Sequence, residues 1–464
     1  MQPSVILIEM NELSPRLMSR FMSEGRLPNF QKLYSEAQVY VTDAQEEPPY
    51  LEPWIQWVTV HSGLSYREHQ IFHLADGHTL QQKCLWDTLS EQGQRVWVCG
   101  SMNIRYDQPI NGMVLPDPWA TEVGPSDPLL ERYFKFVRRN VQEYTNERVP
   151  LSVADYARFL SFMVRHGLSM GTARAIAGQL LAERLGHDRW RRAVLLDKLQ
   201  FDVFAHFYRK LNPNFSTFFL NSTAHFQHLY WRNLEPDLFQ MRPTAAEQET
   251  YEPAILFGYQ EMDRLLARFD DLVDDNTTLV FCTALSQQPC LKYEADGGKL
   301  FYRPKDFGRL VALAGVDGID EIIPVMSECF NIRFGSEDLA ATAKERLSRL
   351  RIEGAAALSL EQRGQMLYAA CSVNKLLPKD AVLSMDDGEP SVPFYDYFYR
   401  VDGMKSGMHH PDGMLWIRRP DRKHEVHREK IPLTSVAPMI LDMFSAAKPR
   451  LMPPKVETPE VLTG

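Results

Sequence analysis

The sequence predicts a doubly wound α/β fold, a mostly parallel central sheet with helices on both faces, together with a helical insertion. Short apolar runs that are typical of buried parallel strands recur along the chain, beginning with residues 5–9. Helical periodicity alternates with these runs in a β-α-α-β order, which favours a parallel sheet covered by helices. A long central stretch has helical spacing alone, which indicates the insertion.

The first predicted strand leads into a helix. Ser14 and Pro15 form a helix-start signature, with serine at the N-cap and proline at the first helical position. Gly25 suits the C-terminal end of this helix. The same reasoning predicts, in order, a helix near 28–29, a helix over 86–92, strands over 95–99 and 216–220, a helix over 256–272, a strand over 277–281, and helices over 340–351 and 360–370.

These elements divide the chain into six segments. Residues 126–212 are the helical insertion or cap, because strand signals are absent there and apolar residues recur at i, i+3, i+4 and i+7. The divisions are 1–125 (first part of the α/β core), 126–212 (helical insertion), 213–335 (second part of the core), 336–395 (a second, mixed insertion), 396–447 (closing part of the core) and 448–464 (a Pro-rich tail).

Composition excludes several classes of function. The chain has 464 residues, a net charge of −9 and 44% hydrophobic residues, so we expect a folded protein that does not bind nucleic acid. The six cysteines form no CxxC pair, which indicates neither a zinc site nor a disulfide framework. We expect no membrane span and no signal peptide, and we expect a cytoplasmic location.

Seven stretches of the sequence together resemble a known family. In chain order between residues 4 and 444, they are VILIEMNEL, RLPNFQKL, WVTVHSGLSYREHQIF, STAHFQHLYW, TALSQQP, GMHHPDGMLWI and LTSVAPMILDMF. They are similar to segments of the alkaline phosphatase superfamily, most of all its phosphodiesterase/nucleotide-pyrophosphatase branch. The resemblance implies an alkaline-phosphatase-like core and two divalent metals beside a hydroxyl nucleophile that displaces a group at phosphorus or sulfur.

Most of the family's functional residues are replaced. The resemblance puts Asn11 in place of the metal-binding aspartate of the first strand, and Ala224 in place of a second aspartate. Ala284 and Leu285 replace an Asp-His pair, and the nucleophile falls at or beside Pro53, where neither serine nor threonine stands. The ordinary two-metal mechanism therefore does not carry over.

Two histidines of the resemblance remain, His228 and His409. With Glu52 as the favoured carboxylate they would make a set of two histidines and one carboxylate, which suits one zinc, iron or manganese ion. The alternative is that these groups are buried, hydrogen-bonded remnants with no metal. We therefore expect at most one divalent metal and no other cofactor.

Further polar residues should converge at the strand exits. We expect Glu52, Glu12 and Asn11 to act in catalysis, and His225, Gln227, Trp54 and Gln287 to bind substrate. Glu9 and Glu12 could divide into acid and base if their surroundings differ, or a glutamate there could simply be solvated at a helix start.

Two functions stay open. The chain is either an enzyme acting on a phosphoryl, sulfuryl or glycosyl-type ester of a small or carbohydrate-like substrate, or an inactive relative that binds a phosphorylated sugar or nucleotide or serves as an assembly partner. The polar groups favour the enzyme, because burying them without partners is costly. The oligomeric state is left open.

Overall fold

The computed structural model describes residues 3–446 apart from 146–150, 187, 326–327, 387, 389–390 and 402, and describes only the backbone of 142–145 and 296. The predicted Pro-rich tail, 448–464, lies outside the described residues.

The described strands are β1 (Ser4–Met10), β2 (Gln38–Asp43), β3 (Val96–Cys99), β4 (Gly112–Leu115), β5 (Phe215–Leu220), β6 (Thr277–Cys282), β7 (Ser286–Pro289), β8 (Tyr302–Pro304), β9 (Ile319–Pro324), β10 (Cys329–Phe334), β11 (Leu350–Ile352), β12 (Ala355–Ala356), β13 (Leu358–Arg363), β14 (Met366–Cys371), β15 (Val382–Met385), β16 (Ser391–Pro393), β17 (Phe398–Arg400), β18 (Gly407–His410), β19 (Asp412–Arg418), β20 (Glu425–Val426) and β21 (Ile431–Pro432). The described α-helices are α1 (Pro15–Ser23), α2 (Pro28–Glu36), α3 (Pro53–Ser62), α4 (Tyr66–His69), α5 (Leu85–Glu91), α6 (Glu131–Thr145), α7 (Val153–Arg165), α8 (Met170–Arg184), α9 (Ala193–Leu211), α10 (Ser222–Leu234), α11 (Ala245–Tyr251), α12 (Ala254–Asp270), α13 (Phe307–Leu313), α14 (Glu337–Ser348), α15 (Phe394–Tyr397) and α16 (Val436–Met443).

A central sheet carries the fold. Its strand order is β20-β2-β19-β6-β1-β5-β3-β4, and β21 pairs with β2. The pairs that join β6, β1, β5, β3 and β4 are parallel, and β19 alone runs against its two neighbours. The predicted mostly parallel sheet is confirmed.

Helices cover both faces of this sheet. Ile6 and Ile8 of β1 face one apolar layer, which includes helices α1, α2, α9, α10 and α12. Val5 and Leu7 face the other layer, which includes α3, α5 and α16. This alternation follows from the two-residue period of a strand, and burial on both faces explains why β1 is a continuous apolar run.

The central stretch is helical, as its spacing predicts. Helices α6 to α9 occupy it, and Tyr133, Phe159 and Phe162 join the first apolar layer. Their rings cluster, with the Phe136 and Phe159 centroids 3.8 Å apart in a stacked pair. The insertion is therefore anchored to the core by aromatic packing.

A third apolar cluster forms from residues between Leu300 and Met404, and thus extends beyond the predicted limits of 336–395. Two four-stranded sheets, β13-β14-β10-β9 and β12-β11-β15-β16, lie in this region. The helix predicted over 340–351 is found as α14, and the chain then enters β11.

The helix predicted over 360–370 is wrong, because β13 and β14 form an antiparallel hairpin there. In β14, Leu367, Ala369 and Cys371 are buried in alternation. Gly364 turns the chain between the strands with a φ of +54°. This two-residue period and the turn glycine favour a hairpin over a helix.

The sheet brings several strand exits to one edge. Met10 pairs with Leu220 and Glu9 pairs with Cys282, so β1, β5 and β6 end side by side. In open α/β sheets the carboxyl ends of the strands form the binding crevice.

Candidate metal centre

Glu12 lies at the centre of this edge. It follows β1, is 2% exposed, and has a left-handed φ of +60°. Its backbone N–H donates to the Thr283 carbonyl at 3.3 Å, and its carbonyl accepts from Gln227 Nε2 at 2.7 Å. A left-handed glutamate is strained, so contacts from neighbouring segments are needed to hold it, and such strain is typical of functional sites.

The carboxylate of Glu12 is contacted on both oxygens. Oε1 accepts a hydrogen bond of 2.8 Å from Asn11 Nδ2, and Oε2 accepts one of 2.6 Å from Gln287 Nε2. Oε2 also lies 3.2 Å from His228 Nε2 and 3.4 Å from His409 Nε2. Two amides and two imidazoles thus surround a single carboxylate.

Glu12, His228 and His409 form a group that could hold a metal ion. One ligand atom from each lies within 4.8 Å of the others. They come from three separate segments: the exit of β1, helix α10 and strand β18. His228 Nδ1 lies 3.3 Å from the Gly407 carbonyl, a contact of the kind that orients a metal-binding imidazole.

The chemistry of this group fits a divalent cation. Two imidazole nitrogens and one carboxylate are a ligand set that zinc and ferrous iron accept, with positions left open. The Oε1 atom of Gln287 is buried and has no hydrogen-bond partner among the described residues. That buried acceptor offers further negative potential beside the group.

Close packing of β18 against its neighbours places His409. It pairs with Gln287 in the antiparallel register of β18 and β7. A Cβ added at Gly407 would lie 2.4 Å from the Gln227 carbonyl oxygen and 2.5 Å from Gln287 Oε1. Glycine is therefore required here, because any side chain would push β18 away from α10 and β7.

The protonation states suit metal binding. Burial raises the pKa of Glu12, but the charges of His409 and His228 and hydrogen bonds from His228 and Gln287 lower the pKa to about 2. Burial lowers the pKa of His409 to about 4, against the opposing charge of Glu12. At neutral pH the centre therefore has an ionised carboxylate and a neutral imidazole, the forms that bind metals.

Glu52 lies beside this group and outside it. It precedes α3, and its Oε2 is 3.5 Å from His409 Nδ1, the nitrogen turned away from Glu12. Burial raises the pKa of Glu52 to about 7, with Lys405 opposing and Glu12 adding to the shift, although 30% of the side chain is exposed. The carboxylate in the three-residue group is thus Glu12, not the expected Glu52.

Asn11 holds the Glu12 carboxylate through a hydrogen bond. Its Oδ1 accepts a 2.7 Å hydrogen bond from Trp57 Nε1, and its Nδ2 donates to Asn221 Oδ1 at 2.8 Å as well as to Glu12. Asn11 is 2% exposed, so it orients the carboxylate and does not face an open cavity.

Gln227 and Trp54, both expected to bind substrate, have their polar atoms committed inside the protein. Gln227 is fully buried, donates to the Glu12 carbonyl and accepts from the Tyr259 hydroxyl at 2.8 Å. Trp54 donates from Nε1 to the Phe72 carbonyl at 2.9 Å. Contact of these two residues with a substrate stays a prediction.

His225 and Gln287 both interact with residues of the centre. His225 is half-buried, and burial, followed by the charge of His228, lowers its pKa to about 4. Gln287 is 2% exposed and bonds both Glu12 and the Ala224 carbonyl, the latter at 3.0 Å.

The positions where the resemblance expects the other ligands are apolar core. Ala224, Ala284 and Leu285 are at most 2% exposed. Ala284 and Leu285 belong to the second apolar layer. No donor stands at these positions for a second cation.

Glu9 belongs to a different network. Its Oε1 lies 2.8 Å from His61 Nε2, and its Oε2 accepts a 2.6 Å hydrogen bond from Ser101, whose hydroxyl also bonds Thr217. Glu9 is fully buried within β1, so it is neither a partner of Glu12 in the site nor a solvated residue at a helix start.

Sequence reasoning missed three residues near the site. Asn221 directly follows β5, as Asn11 follows β1, and this parallel was the available signal. Lys405 and Lys299 are joined by a backbone hydrogen bond of 3.0 Å, and their charges act on Glu52. They are distant in sequence, so no motif marks them as a pair.

Comparison with known proteins gives structural matches only. No protein-family model matches the chain, and no curated protein matches it. Among solved structures, it is similar to an inactive murine ectonucleotide pyrophosphatase/phosphodiesterase 5 in complex with AMP, with 9% identity, TM-score 0.39 and coverage of 97% of this chain and 96% of that chain. It is also similar to phosphonoacetate hydrolase from Sinorhizobium meliloti in complex with phosphonoacetate, with 12% identity, TM-score 0.42 and coverage of 96% of each chain.

The human ectonucleotide pyrophosphatase/phosphodiesterase 5 matches at 10% identity and TM-score 0.38, over 97% of this chain and 96% of that chain.

Proposed function

We propose that this chain is a hydrolase with a single divalent metal, held by Glu12, His228 and His409, that cleaves a phosphoryl or sulfuryl ester of a small or carbohydrate-like molecule. The observation that carries the proposal is the convergence of three ligand atoms within 4.8 Å from three separate segments. A bound cation would supply a Lewis acid for an ester oxygen.

The residues around this group have distinct roles in the proposal. Asn11 and Gln287 hold the Glu12 carboxylate in place through hydrogen bonds of 2.8 and 2.6 Å. The carbonyl of Gly407 orients the His228 ring. Held in this way, the three ligands need little rearrangement to bind an ion.

Glu52 is the acid/base group of the proposal, because its partly exposed carboxylate lies beside His409. In the reaction, water adds to the phosphorus or sulfur atom, and the bond from that atom to the alcohol oxygen breaks. Glu52 accepts a proton from the water and returns that proton to the departing alcohol oxygen. The products are an alcohol and a phosphate or sulfate.

The charge around the site supports an anionic substrate. The positive charges of Lys405 and Lys299 act on Glu52, and that of Lys405 also acts on His409. Both lysines are half-buried, where their attraction for an anion is screened less than at an open surface.

A second candidate is a metal-free binding protein. Asn11 and Gln287 already donate to both oxygens of Glu12, so the carboxylate is satisfied without a cation. In that case the residues around Glu12 would bind a phosphorylated sugar or nucleotide without turnover.

Elemental analysis of the purified protein, with zinc, manganese and iron each offered during reconstitution, separates the two candidates. The hydrolase predicts about one equivalent of metal, lost in His228→Ala and in Glu12→Gln. His410→Ala is the matched control, since the next residue of a strand faces the opposite side. Metal-free protein that binds a phosphorylated ligand and turns over neither an aryl phosphate nor an aryl sulfate would favour the binding protein.

A further inference from the structure

The helical insertion leaves an unusual amount of apolar surface in water. Of the sixteen large hydrophobic side chains that are exposed in the described part of the chain, eight lie between Val153 and Leu185. Val153 is 86% exposed, and Val164 is 67% exposed. Large apolar side chains exposed together in one segment are typical of an interaction site.

On helix α7 the exposed apolar residues form one stripe. Val153, Leu160 and Val164 recur at intervals of seven and four residues, so they lie along one side of the helix. Phe159 and Phe162 lie on another side and are buried in the core. The stripe is therefore additional to the face that anchors the helix.

Helix α8 also exposes large apolar side chains. Met170, Leu181 and Leu185, the residue that follows the helix, are all more than 60% exposed. Arg174 and Arg184 are exposed on the same helix. Exposed leucines suit an apolar partner and neighbouring arginines suit an anionic one, so this composition is typical of a surface that binds a partner with both properties.

Neither helix offers a free carboxylate to this surface. Each contains one acidic residue, Asp155 in α7 and Glu183 in α8. Asp155 lies 3.2 Å from Arg139 Nη1 and 3.6 Å from Arg158 Nη1, and Glu183 is ion-paired with Arg192. The exposed ionic groups of α7 and α8 are thus arginines, with Arg158 and Arg165 on α7.

The charge of the insertion contrasts with that of the chain. Residues 126–212 contain fifteen Lys and Arg against nine Asp and Glu, although the whole chain has a net charge of −9. A protein with this charge distribution is expected to approach an anionic surface with its positive insertion foremost.

We infer that the exposed residues of α7 and α8 dock on the surface of a bilayer that contains anionic lipid. The apolar side chains enter the interface, and the arginines contact lipid phosphates, as in amphipathic helices that lie flat on membranes. In the part of the chain that the structure describes, no helix is long and apolar enough to cross a bilayer.

A second copy of this chain is a poorer occupant. In a two-fold dimer the same surface meets itself, so the arginines of α7 and α8 would face one another without carboxylates between them. Like charges at an interface oppose association. An anionic lipid surface supplies the opposite charge and an apolar layer together.

Vesicle flotation of the full-length protein tests this proposal. Vesicles of phosphatidylcholine alone are compared with vesicles that also contain phosphatidylserine. We expect the protein to float with the anionic vesicles, and the double variant Leu160→Glu/Leu181→Glu to bind them at least about tenfold more weakly. Leu376→Glu is the matched control, because Leu376 is 66% exposed and lies outside the helical insertion in sequence.

A charge variant separates the electrostatic part of vesicle binding from the apolar part. Arg165→Gln/Arg174→Gln should weaken binding to phosphatidylserine vesicles, and high salt should do the same to the unaltered protein. All substituted positions are exposed, so circular dichroism should match the unaltered protein.

Three results would overturn the proposal. One is no flotation of the unaltered protein with anionic vesicles. Another is an equal loss of flotation in Leu376→Glu. The third is a dimer in sedimentation that Leu160→Glu/Leu181→Glu dissociates, because the surface would then be an interface between copies of this chain.

Discussion

Gln287 Nε2 donates a 2.6 Å hydrogen bond to Oε2 of Glu12, the same oxygen that faces both imidazoles of the centre. Any cation bound at this centre would therefore share Glu12 Oε2 with the Gln287 amide. In the absence of a metal, this neutral donor stabilises the buried carboxylate together with the two imidazoles that face the same oxygen.

Changing Gln287 to glutamate should make the protein dependent on metal for its stability. The new carboxylate would face Glu12 in a buried site, where an uncompensated charge costs about 3 kcal/mol. We expect a lower thermal midpoint at neutral pH that added zinc or manganese restores by more than it raises the midpoint of the unaltered protein. Gln288→Glu, on the adjacent half-buried position, is the control and should show no such rescue. Equal responses of both variants to metal would contradict this role of Gln287.

Leu285 should behave as an ordinary core residue. It is fully buried, so Leu285→Ala should lower the free energy of unfolding by about 2–5 kcal/mol. Urea denaturation measures this loss. Metal content per folded protein should stay unchanged, since the side chain is not a ligand. A change in metal stoichiometry in this variant would show that the position still belongs to a metal site.

The Glu9–His61 pair should contribute to stability and not to metal binding. Both side chains are at most 1% exposed and lie 2.8 Å apart. Removing one partner of a buried pair costs about 3–5 kcal/mol, so His61→Ala and Glu9→Gln should each destabilise strongly, and the double variant by less than their sum. Chemical denaturation of the four proteins gives the coupling. Additive losses would mean that the two residues act independently.

Asp197 should give the protein a pH-dependent stability. Burial raises the pKa of Asp197 from 3.8 to about 7, against the hydrogen bond from Ser222. Since the folded state then holds a proton that the unfolded state has lost, this contribution is fully present below about pH 4 and disappears as the pH rises through about 7. Relative to Asp197→Asn, the unaltered protein should lose up to about 1.4 kcal/mol of unfolding free energy per pH unit across that interval. Denaturation curves at several pH values measure the difference, and parallel pH profiles of the two proteins would refute it.

The sequence predicts the central elements well, because their signals are local. The apolar run of β1 and the Ser14-Pro15 helix start are both found where the pattern places them. The hairpin of β13 and β14 was predicted as a helix, since its apolar residues satisfy both periods over a short run. Gly364, which turns the chain with a φ of +54°, is the residue within this run that favours the hairpin.

The site was harder to predict because it depends on distant contacts. The family resemblance singled out His228 and His409, which the fold brings together with ring centroids 5.2 Å apart. Choosing Glu12 over Glu52 requires the left-handed turn after β1, and no local pattern predicts such a φ for glutamate. The contact between Gln287 and Glu12 spans 275 residues and follows only from the assembled sheet edge.

The presence of a single metal at Glu12, His228 and His409 is the central claim, and anomalous X-ray scattering from a crystal grown with zinc tests it most directly. We predict one anomalous peak at about 2.0–2.2 Å from a Glu12 carboxylate oxygen and the Nε2 atoms of His228 and His409. Zinc-loaded crystals without a peak there, or with a second peak beside Ala284 and Leu285, would contradict the claim.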